Sequence, residues 1–193
     1  MSSDTGLINL ILSRSSVAPR RLAAPGPSAD QMETLIACAL TAPDHGAIRP
    51  WRFLRVPAEH RETLAEAFVA AKLEVEPEAS EVAIERARNK AHKEPETIVV
   101  IFRPNPSHPV VPVQEQAMSV GAACENILLA AEAMGFGGML LSGAEVSTQA
   151  LRRAFHLEDE EELVGFIGIG TVANPPGPKD RPAVADHLSD WAP

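Results

Sequence analysis

The sequence predicts one domain of the α+β class, residues 1–193, in which a central sheet lies between layers of helices. Three observations predict this three-layer sandwich. A capped amphipathic helix begins near Ser28, a continuous run of apolar and β-branched residues covers 97–102, and a long apolar helix covers 113–134. A chain of 193 residues that is 45% apolar is large enough to bury a core of its own.

The first elements are predicted from caps and periodicity. Residues 7–12 indicate a short first helix, and 19–27, rich in Pro, Ala and Arg, indicate a connector. Ser28 and Gln31 form a capping-box pattern, which predicts a helix N-terminus. Apolar residues then recur at helical spacing up to Pro43, so this helix buries one face.

The middle of the chain predicts two strands separated by two charged helices. Residues 52–56 read as a strand, and 58–73 and 80–93 as partly exposed helices. The second helix alternates Glu with Arg and Lys, which is typical of a solvated face and less often of a partner surface. Residues 97–102 lack polar alternation, so they predict a central strand covered on both sides.

The longest helix predicts an assembly. Residues 113–134 form a helical pattern that ends at Gly135, a typical C-terminal cap. Between 120 and 133 this helix is apolar on most of its faces, more than one small domain usually covers. We therefore expect it to pack against a second copy of the chain.

The last part of the chain continues the alternation and then changes composition. Residues 137–141 and 163–171 read as strands, and 147–155 as a capped helix. From 174 to 193 the chain is rich in Pro, Lys, Asp and Arg, which predicts an extended tail on another surface.

Composition and motifs exclude several functions. A net charge of −9 without a basic stripe disfavours nucleic-acid binding. Cys38 and Cys124 lack zinc or disulfide spacing, so a reduced, cytoplasmic setting is expected, and no segment predicts a membrane span. Nucleophile, zinc-protease and phosphate-loop motifs are absent from the sequence, so a cofactor must supply any difficult chemistry. The glycines of 165–170 fall inside a strand and favour close backbone approach over a dinucleotide fingerprint.

Several ordered motifs together resemble the flavin-dependent nitroreductase family, in particular its small branch with a Pro-Asp-His loop. The motifs are Arg14-Ser15-Ser16, Ala42-Pro43-Asp44-His45, Pro50-Trp51 and Gly135-Phe136-Gly137-Gly138. The resemblance implies a mainly antiparallel sheet, a homodimer whose C-terminal tails are exchanged, and FMN bound at the subunit interface. It also implies NADH or NADPH as hydride donor and a nitroaromatic, quinone or similar acceptor in a ping-pong scheme.

The resemblance assigns the FMN phosphate to Arg14, Ser15 and Ser16, together with Arg21. Guanidinium and hydroxyl groups are suitable phosphate donors. The spacing after Arg14 is two residues longer than in the family pattern, so either Arg20 or Arg21 could reach the phosphate. In the tail, Lys179 and Arg181 resemble basic residues that grip the same phosphate in many members.

The flavin ring is assigned by the same resemblance to both copies of the chain. Leu140, Leu141 and Ser142 match the segment that passes along the ring, while Thr41 and His45 match contacts made across the dimer. Thr41 stands where close relatives often have arginine, and Arg49 where glutamine is usual. These departures leave open a non-catalytic flavin carrier or sensor, or an enzyme that uses reduced flavin for another reaction.

Overall fold

A computed structural model describes residues 5–192 of the chain. Six helices and five strands have the following bounds: α1 Thr5–Ser13, β1 Leu22–Ala23, α2 Ala29–Ala39, β2 Trp51–Arg55, α3 Arg61–Val75, α4 Glu81–Arg88, β3 Glu96–Phe102, α5 Val113–Ala133, β4 Phe136–Leu141, α6 Gln149–Ala154 and β5 Glu162–Val172. The capping box at Ser28 and Gln31 is present, with both reciprocal hydrogen bonds. The predicted domain also includes residues 1–4 and 193, which lie outside the described residues.

Strand β5 is the centre of the sheet. Its Ile167 pairs with Ile98 of β3 on one edge and with Leu140 of β4 on the other. Strand β2 pairs with the outer edge of β3, and the short β1 pairs with the end of β5. Every pairing is antiparallel, and β3 is internal, as the sequence predicted.

The two faces of the sheet build separate cores. Ile98 and Val100 of β3 face α2 and α5, whereas Val99 and Ile101 face α3 and α6. This alternation follows from the period of two along a strand, and it explains why the β3 run is apolar at every position. The result is the predicted arrangement of helices on both sides of a sheet.

Several element boundaries differ from the sequence prediction. The connector over 19–27 contains a 3-10 turn at Pro19–Arg21 and strand β1, whose two residues are too short to show a period. The charged segments 58–73 and 80–93 each include a 3-10 turn, at Ala58–His60 and Asn89–His92, beside a shorter α-helix. Thr148, rather than Ser147, caps α6 with its hydroxyl group.

A partly buried ion pair joins the sheet edge to the loop before β5. Arg52 donates from Nε and Nη2 to the two carboxylate oxygens of Glu161, at 2.9 and 2.5 Å. The Glu161 side chain is 2% exposed, and one of its oxygens also accepts from the backbone N–H of Glu158. The hydrogen bonds from Arg52 hold the pKa of Glu161 below its ordinary value, although burial acts in the opposite direction.

We expect Glu161→Gln to lower the free energy of unfolding by about 2 kcal/mol at neutral pH, because charge-assisted hydrogen bonds are lost. Since the folded-state pKa lies below the unfolded value near 4.5, the wild-type advantage is complete above that pH and disappears as pH falls through the folded pKa. Urea denaturation at pH values from about 3 to 8, which span the ordinary pKa of a glutamate, measures this difference in the free energy of unfolding between wild type and variant. Glu66→Gln, which removes an exposed ion pair with Arg88, is the control and is expected to change little. A constant difference between wild type and Glu161→Gln at every pH would contradict this assignment.

Candidate active site

The segment after α1 lies against strand β4. The backbone N–H of Val17 donates to the carbonyl of Gly138 at 3.0 Å. Gly137 permits this approach, because a Cβ at its position would lie 2.8 Å from Val17 Cγ2 and 2.6 Å from Val172 Cγ2. The Arg14-Ser15-Ser16 motif and the Gly-rich motif are therefore neighbours in the fold.

The first cavity, of about 530 Å³, opens between this segment, the start of β4 and the C-terminal tail. Its polar lining consists of Ser13, Ser15, Glu132, Lys179 and Arg181. The hydroxyl oxygen of Ser15 is buried and has no hydrogen-bond partner. A buried hydroxyl without a partner is costly, so this position is suited to a ligand oxygen.

Arg14 and Arg181 are tied to the same corner of the fold. The Nη2 of Arg181 donates to the backbone carbonyl of Arg14 at 2.5 Å, which holds the tail against the N-terminal segment. Arg14 pairs through Nε with Glu125 of α5 at 2.8 Å, and its side chain is 20% exposed. Ser16 follows as a half-buried residue on the same segment.

Arg20 and Arg21 have different surroundings. Arg21 donates from Nη1 to the carbonyls of Asn174 and Pro175, at 3.2 and 2.8 Å, and it lines neither cavity. Arg20 lines the second cavity. Of the two arginines between which the sequence could not decide, Arg21 holds the beginning of the tail and Arg20 lines the second cavity, and neither lines the first cavity.

The second cavity, of about 270 Å³, lies at the other end of β4. Apolar side chains that include Phe68, Leu151 and Phe166 form one part of its wall. Leu141, Ser142 and Gly143 form another part, and charged side chains of both signs also line the cavity: Arg20, Lys90, Lys93, Glu94 and Glu145. Leu140, the preceding residue, packs instead against the α2 and α5 core, because successive side chains on a strand point to opposite faces.

The charges around the second cavity are partly compensated. Lys90 pairs with Glu145 at 3.0 Å. Burial acts to raise the pKa of Glu145, but the hydrogen bond from Lys90, a backbone hydrogen bond and the charges of Lys90 and Lys72 outweigh it, so the pKa is lowered. Within the described part of the chain, Arg20 and Lys93 have no carboxylate at ion-pair distance. The cavity therefore combines an apolar wall with charges of both signs, including two cations, Arg20 and Lys93, that form no ion pair within residues 5–192, and the carboxyl group of Glu94.

Thr41 and His45 lie outside both cavities of their own chain. The hydroxyl of Thr41 donates to the carbonyl of Cys38 at 2.7 Å, and Asn126 donates to the Thr41 hydroxyl at 3.3 Å. His45 Nδ1 lies 2.7 Å from a carboxylate oxygen of Glu115 on α5, and the histidine is exposed. Both residues are available at the surface near the end of α2.

The sequence analysis did not identify Lys90, Lys93 and Glu94 as site residues. The alternation of Glu with basic residues over 80–93 indicated a solvated face, and half of the residues of α4 are exposed. Their position in the chain distinguishes these three residues from the exposed charged residues of α4, because they lie in the turn between α4 and the central strand β3. In residues 5–192, no group of His, Cys, Asp and Glu side chains could hold a metal ion, and no helix there is long and apolar enough to cross a membrane.

Comparison with known proteins defines the class to which this arrangement belongs. The profile of the Nitroreductase family matches residues 11–171. The chain is 34% identical over 168 residues to the Escherichia coli K12 protein named "Putative NAD(P)H nitroreductase YdjA", covering 85% of this chain and 87% of that protein. A Haemophilus influenzae protein named "Putative NAD(P)H nitroreductase" is 35% identical over 152 residues, covering 79% of this chain and 82% of that one.

Solved structures share the fold at lower identity. A nitroreductase-like family protein from Bacillus cereus superposes with a TM-score of 0.81 at 23% identity, over 99% of this chain and 98% of that one. The NADPH:FMN oxidoreductase of Vibrio harveyi, solved in complex with NAD+, has a TM-score of 0.73 at 20% identity, over 96% of this chain and 77% of that one. These matches show that the chain has the nitroreductase-like fold. The chain belongs to the nitroreductase family, whose cofactor is FMN and whose electron donor is NAD(P)H.

Proposed function

We propose that this protein passes hydride from NADH or NADPH through bound FMN to a nitroaromatic, quinone or similar acceptor by a ping-pong mechanism. The observation that carries the proposal is the buried, unpartnered hydroxyl of Ser15 in a cavity that also presents Lys179 and Arg181. An anion with several oxygens satisfies all three groups. FMN, when bound, supplies the redox chemistry.

The first cavity is assigned to the FMN phosphate. Ser15 offers a hydroxyl donor, Arg181 has guanidinium donors besides the one bound to the Arg14 carbonyl, and Lys179 adds a second cation. Arg14 and Ser16 belong to the same segment, and Arg14 carries its own partner in Glu125. Arg21, whose guanidinium group holds tail carbonyls, acts on the phosphate only by positioning that tail.

The second cavity is assigned to the flavin ring. Its apolar wall suits a flat aromatic system, and the backbone after Leu141 offers N–H groups at Ser142 and Gly143. Arg20 and Lys93 favour negative charge in the cavity, which stabilises a reduced cofactor over an oxidised one. Strand β4 runs from one cavity to the other, a span of about 17 Å at the rise of an extended strand.

A second copy of the chain is proposed to complete the site with Thr41 and His45. The chain exposes apolar side chains that one copy leaves uncovered, among them Leu7, Ile8, Ile11 and Leu12 of α1, Met118 of α5, and Val184, Leu188 and Trp191 of the tail. Trp191 is 86% exposed. Such a surface, together with an extended tail, fits an exchanged-tail homodimer.

A homodimer should have twice the mass of one chain in solution. Size-exclusion chromatography with light scattering is expected to give twice the 20.6 kDa mass of the chain at micromolar concentration. Removing residues 182–193 should weaken the dimer, since the exposed apolar side chains of the tail go with them. A stable monomer of the full chain would remove the partner that Thr41 and His45 require.

The catalytic proposal is tested by separating the two half-reactions. The FMN-loaded protein is mixed with one equivalent of NADPH or NADH without oxygen, freed of nicotinamide by desalting, and then mixed with a nitroaromatic or a quinone. Loss of the oxidised-flavin absorbance in the first step and its return in the second support the proposal. A flavin that is reduced by neither nucleotide would contradict it.

A flavin carrier or sensor is the second candidate, and Thr41 is the observation that favours it. By the family resemblance, Thr41 stands where close relatives often have an arginine, and its hydroxyl group already donates to the carbonyl of Cys38. The same anaerobic experiment distinguishes the two functions. A carrier retains FMN but shows no reduction by nicotinamide, whereas the oxidoreductase shows both.

A further inference from the structure

Glu94 is a buried carboxyl group in the wall of the second cavity that the proposed mechanism does not use. It directly precedes Pro95 and strand β3, is 7% exposed, and lies over Gly168 of β5. A Cβ at Gly168 would lie 3.0 Å from Glu94 Cγ and 3.2 Å from its carboxyl carbon, so the glycine makes room for this side chain. A carboxyl group is unusual in such a position.

Two hydrogen bonds in series fix the carboxyl group without neutralising it. The hydroxyl of Thr97 donates to Glu94 Oε1 at 3.0 Å, and Arg61 Nη1 donates to the same hydroxyl at 2.9 Å. Because Arg61 occupies the acceptor side of Thr97, the hydroxyl proton is directed toward Glu94. Arg61 also donates hydrogen bonds to the backbone carbonyls of Ala91 and Pro95, both at 2.8 Å. Within residues 5–192, Thr97 supplies the side-chain hydrogen bond that the Glu94 carboxyl group accepts.

Charged groups face Glu94 from each surrounding element: Arg61 from α3, Lys93 and Lys90 from the turn before β3, Arg20 from the N-terminal segment, and Glu145 beyond β4. Burial raises the pKa of Glu94, and this effect outweighs the hydrogen bond from Thr97 and the charges of Arg61 and Lys93. Glu145, in contrast, is held ionised by Lys90. Glu94 is therefore the carboxyl group of this cavity whose protonation is most easily changed.

We propose that Glu94 takes up a proton when the cofactor in the second cavity is reduced, and releases it when the cofactor is reoxidised. This inference rests on the proposed function, which assigns the flavin ring to that cavity. A hydride brings two electrons and one proton from the nicotinamide, so the cofactor gains one negative charge. A new negative charge beside a carboxylate raises its pKa, and the Glu94 carboxylate then binds one proton drawn from solvent.

The proton count follows from the midpoint potential of the FMN-loaded protein measured at different pH values. In the wild type, one extra proton per two electrons steepens the dependence by about 30 mV per pH unit, the two-electron equivalent of a tenfold change. This steep region begins above pH 4.5, because the pKa of Glu94 in the oxidised protein is already raised from that value. Glu94→Gln, which keeps the size and the acceptor for Thr97, is expected to lack the steep region.

Glu145→Gln is the matched control, since it removes one negative charge from the same cavity. The pKa of Glu145 is lowered from 4.5, so its carboxylate is ionised above that pH, where the variant should shift the potential by a constant amount and keep the wild-type slope. Thr97→Val provides a second test that leaves Glu94 in place. Loss of its hydrogen bond raises the pKa of Glu94 further and should move the steep region to higher pH.

The outcomes separate this inference from the proposed function. Equal slopes in wild type and Glu94→Gln, both loaded with FMN, would overturn the role of Glu94 and leave the oxidoreductase untouched. If Glu94→Gln does not retain FMN, Thr97→Val decides. A steep region of midpoint potential against pH that stays at the wild-type position in Thr97→Val would overturn the role of Glu94. Failure of the wild type to bind FMN would contradict the proposed function, which fluorescence titration with FMN reveals before any potential is measured.

Discussion

Replacing Arg181 with alanine is expected to weaken FMN binding about tenfold to a hundredfold while leaving riboflavin binding unchanged. Riboflavin carries the same ring and ribityl chain but no phosphate, so it reports every contact except those of the first cavity. A charge-assisted hydrogen bond to phosphate contributes about 1.5 to 3 kcal/mol, which corresponds to that range of affinity. Fluorescence titration of both ligands gives the comparison directly.

The controls for Arg181→Ala separate the phosphate contact from general effects of charge. Arg86 on α4 lines neither cavity, so Arg86→Ala removes one positive charge without removing a proposed contact. Ser15→Ala should lower FMN affinity less than Arg181→Ala, because a neutral donor contributes less than an ionised one. Unchanged FMN affinity in Arg181→Ala, or an equal loss for riboflavin, would show that the phosphate binds elsewhere.

Replacing Gly165 with alanine is expected to lower the free energy of unfolding by about 4 kcal/mol or to prevent folding. A Cβ at this position would lie 2.2 Å from the backbone oxygen of Leu141, and the residue adopts a φ of +155°, which side chains disfavour. Gly165 also lies where β5 shifts register against β3, between Val100 and Ile101. Unlike a flexible side chain, a backbone carbonyl in a paired strand cannot move aside without breaking the sheet.

Urea denaturation measures this loss, with Gly177→Ala as the control. Gly177 has no atom within 4 Å of a built Cβ, so its substitution should change stability by no more than about 0.5 kcal/mol. Since Leu141 lines the second cavity, any folded Gly165→Ala protein should also bind FMN more weakly. Wild-type stability in Gly165→Ala would mean that the end of β4 does not lie against β5 as described.

The sequence predicted the parts of the fold that depend on local chemistry. The capping box at Ser28 and the uninterrupted apolar run of β3 each require particular residues within a few positions, and both are confirmed. Strand β1 was missed because its two residues are ordered only by pairing with the distant end of β5. Long-range partners leave no period in a segment that short.

Only those residues of the candidate site that belong to family motifs could be predicted from the sequence. Ser15, Leu141 and Ser142 came from the family resemblance, and the fold brings each of them to a cavity. Arg20 and Arg21 could not be separated by sequence, because the choice depends on where the tail passes. Glu94 belongs to no motif, and its burial follows from Gly168, which is 74 residues away in the chain and adjacent only in space.

The most direct test of the central claim is a crystal structure of the protein with FMN. Our account predicts the phosphate within hydrogen-bond distance of Ser15 and Arg181, and the flavin ring beside Leu141, Ser142 and Arg20. It also predicts His45 of a second copy at the same ring. FMN bound with the opposite orientation, or seated outside both cavities, would contradict the assignment on which the proposed function depends.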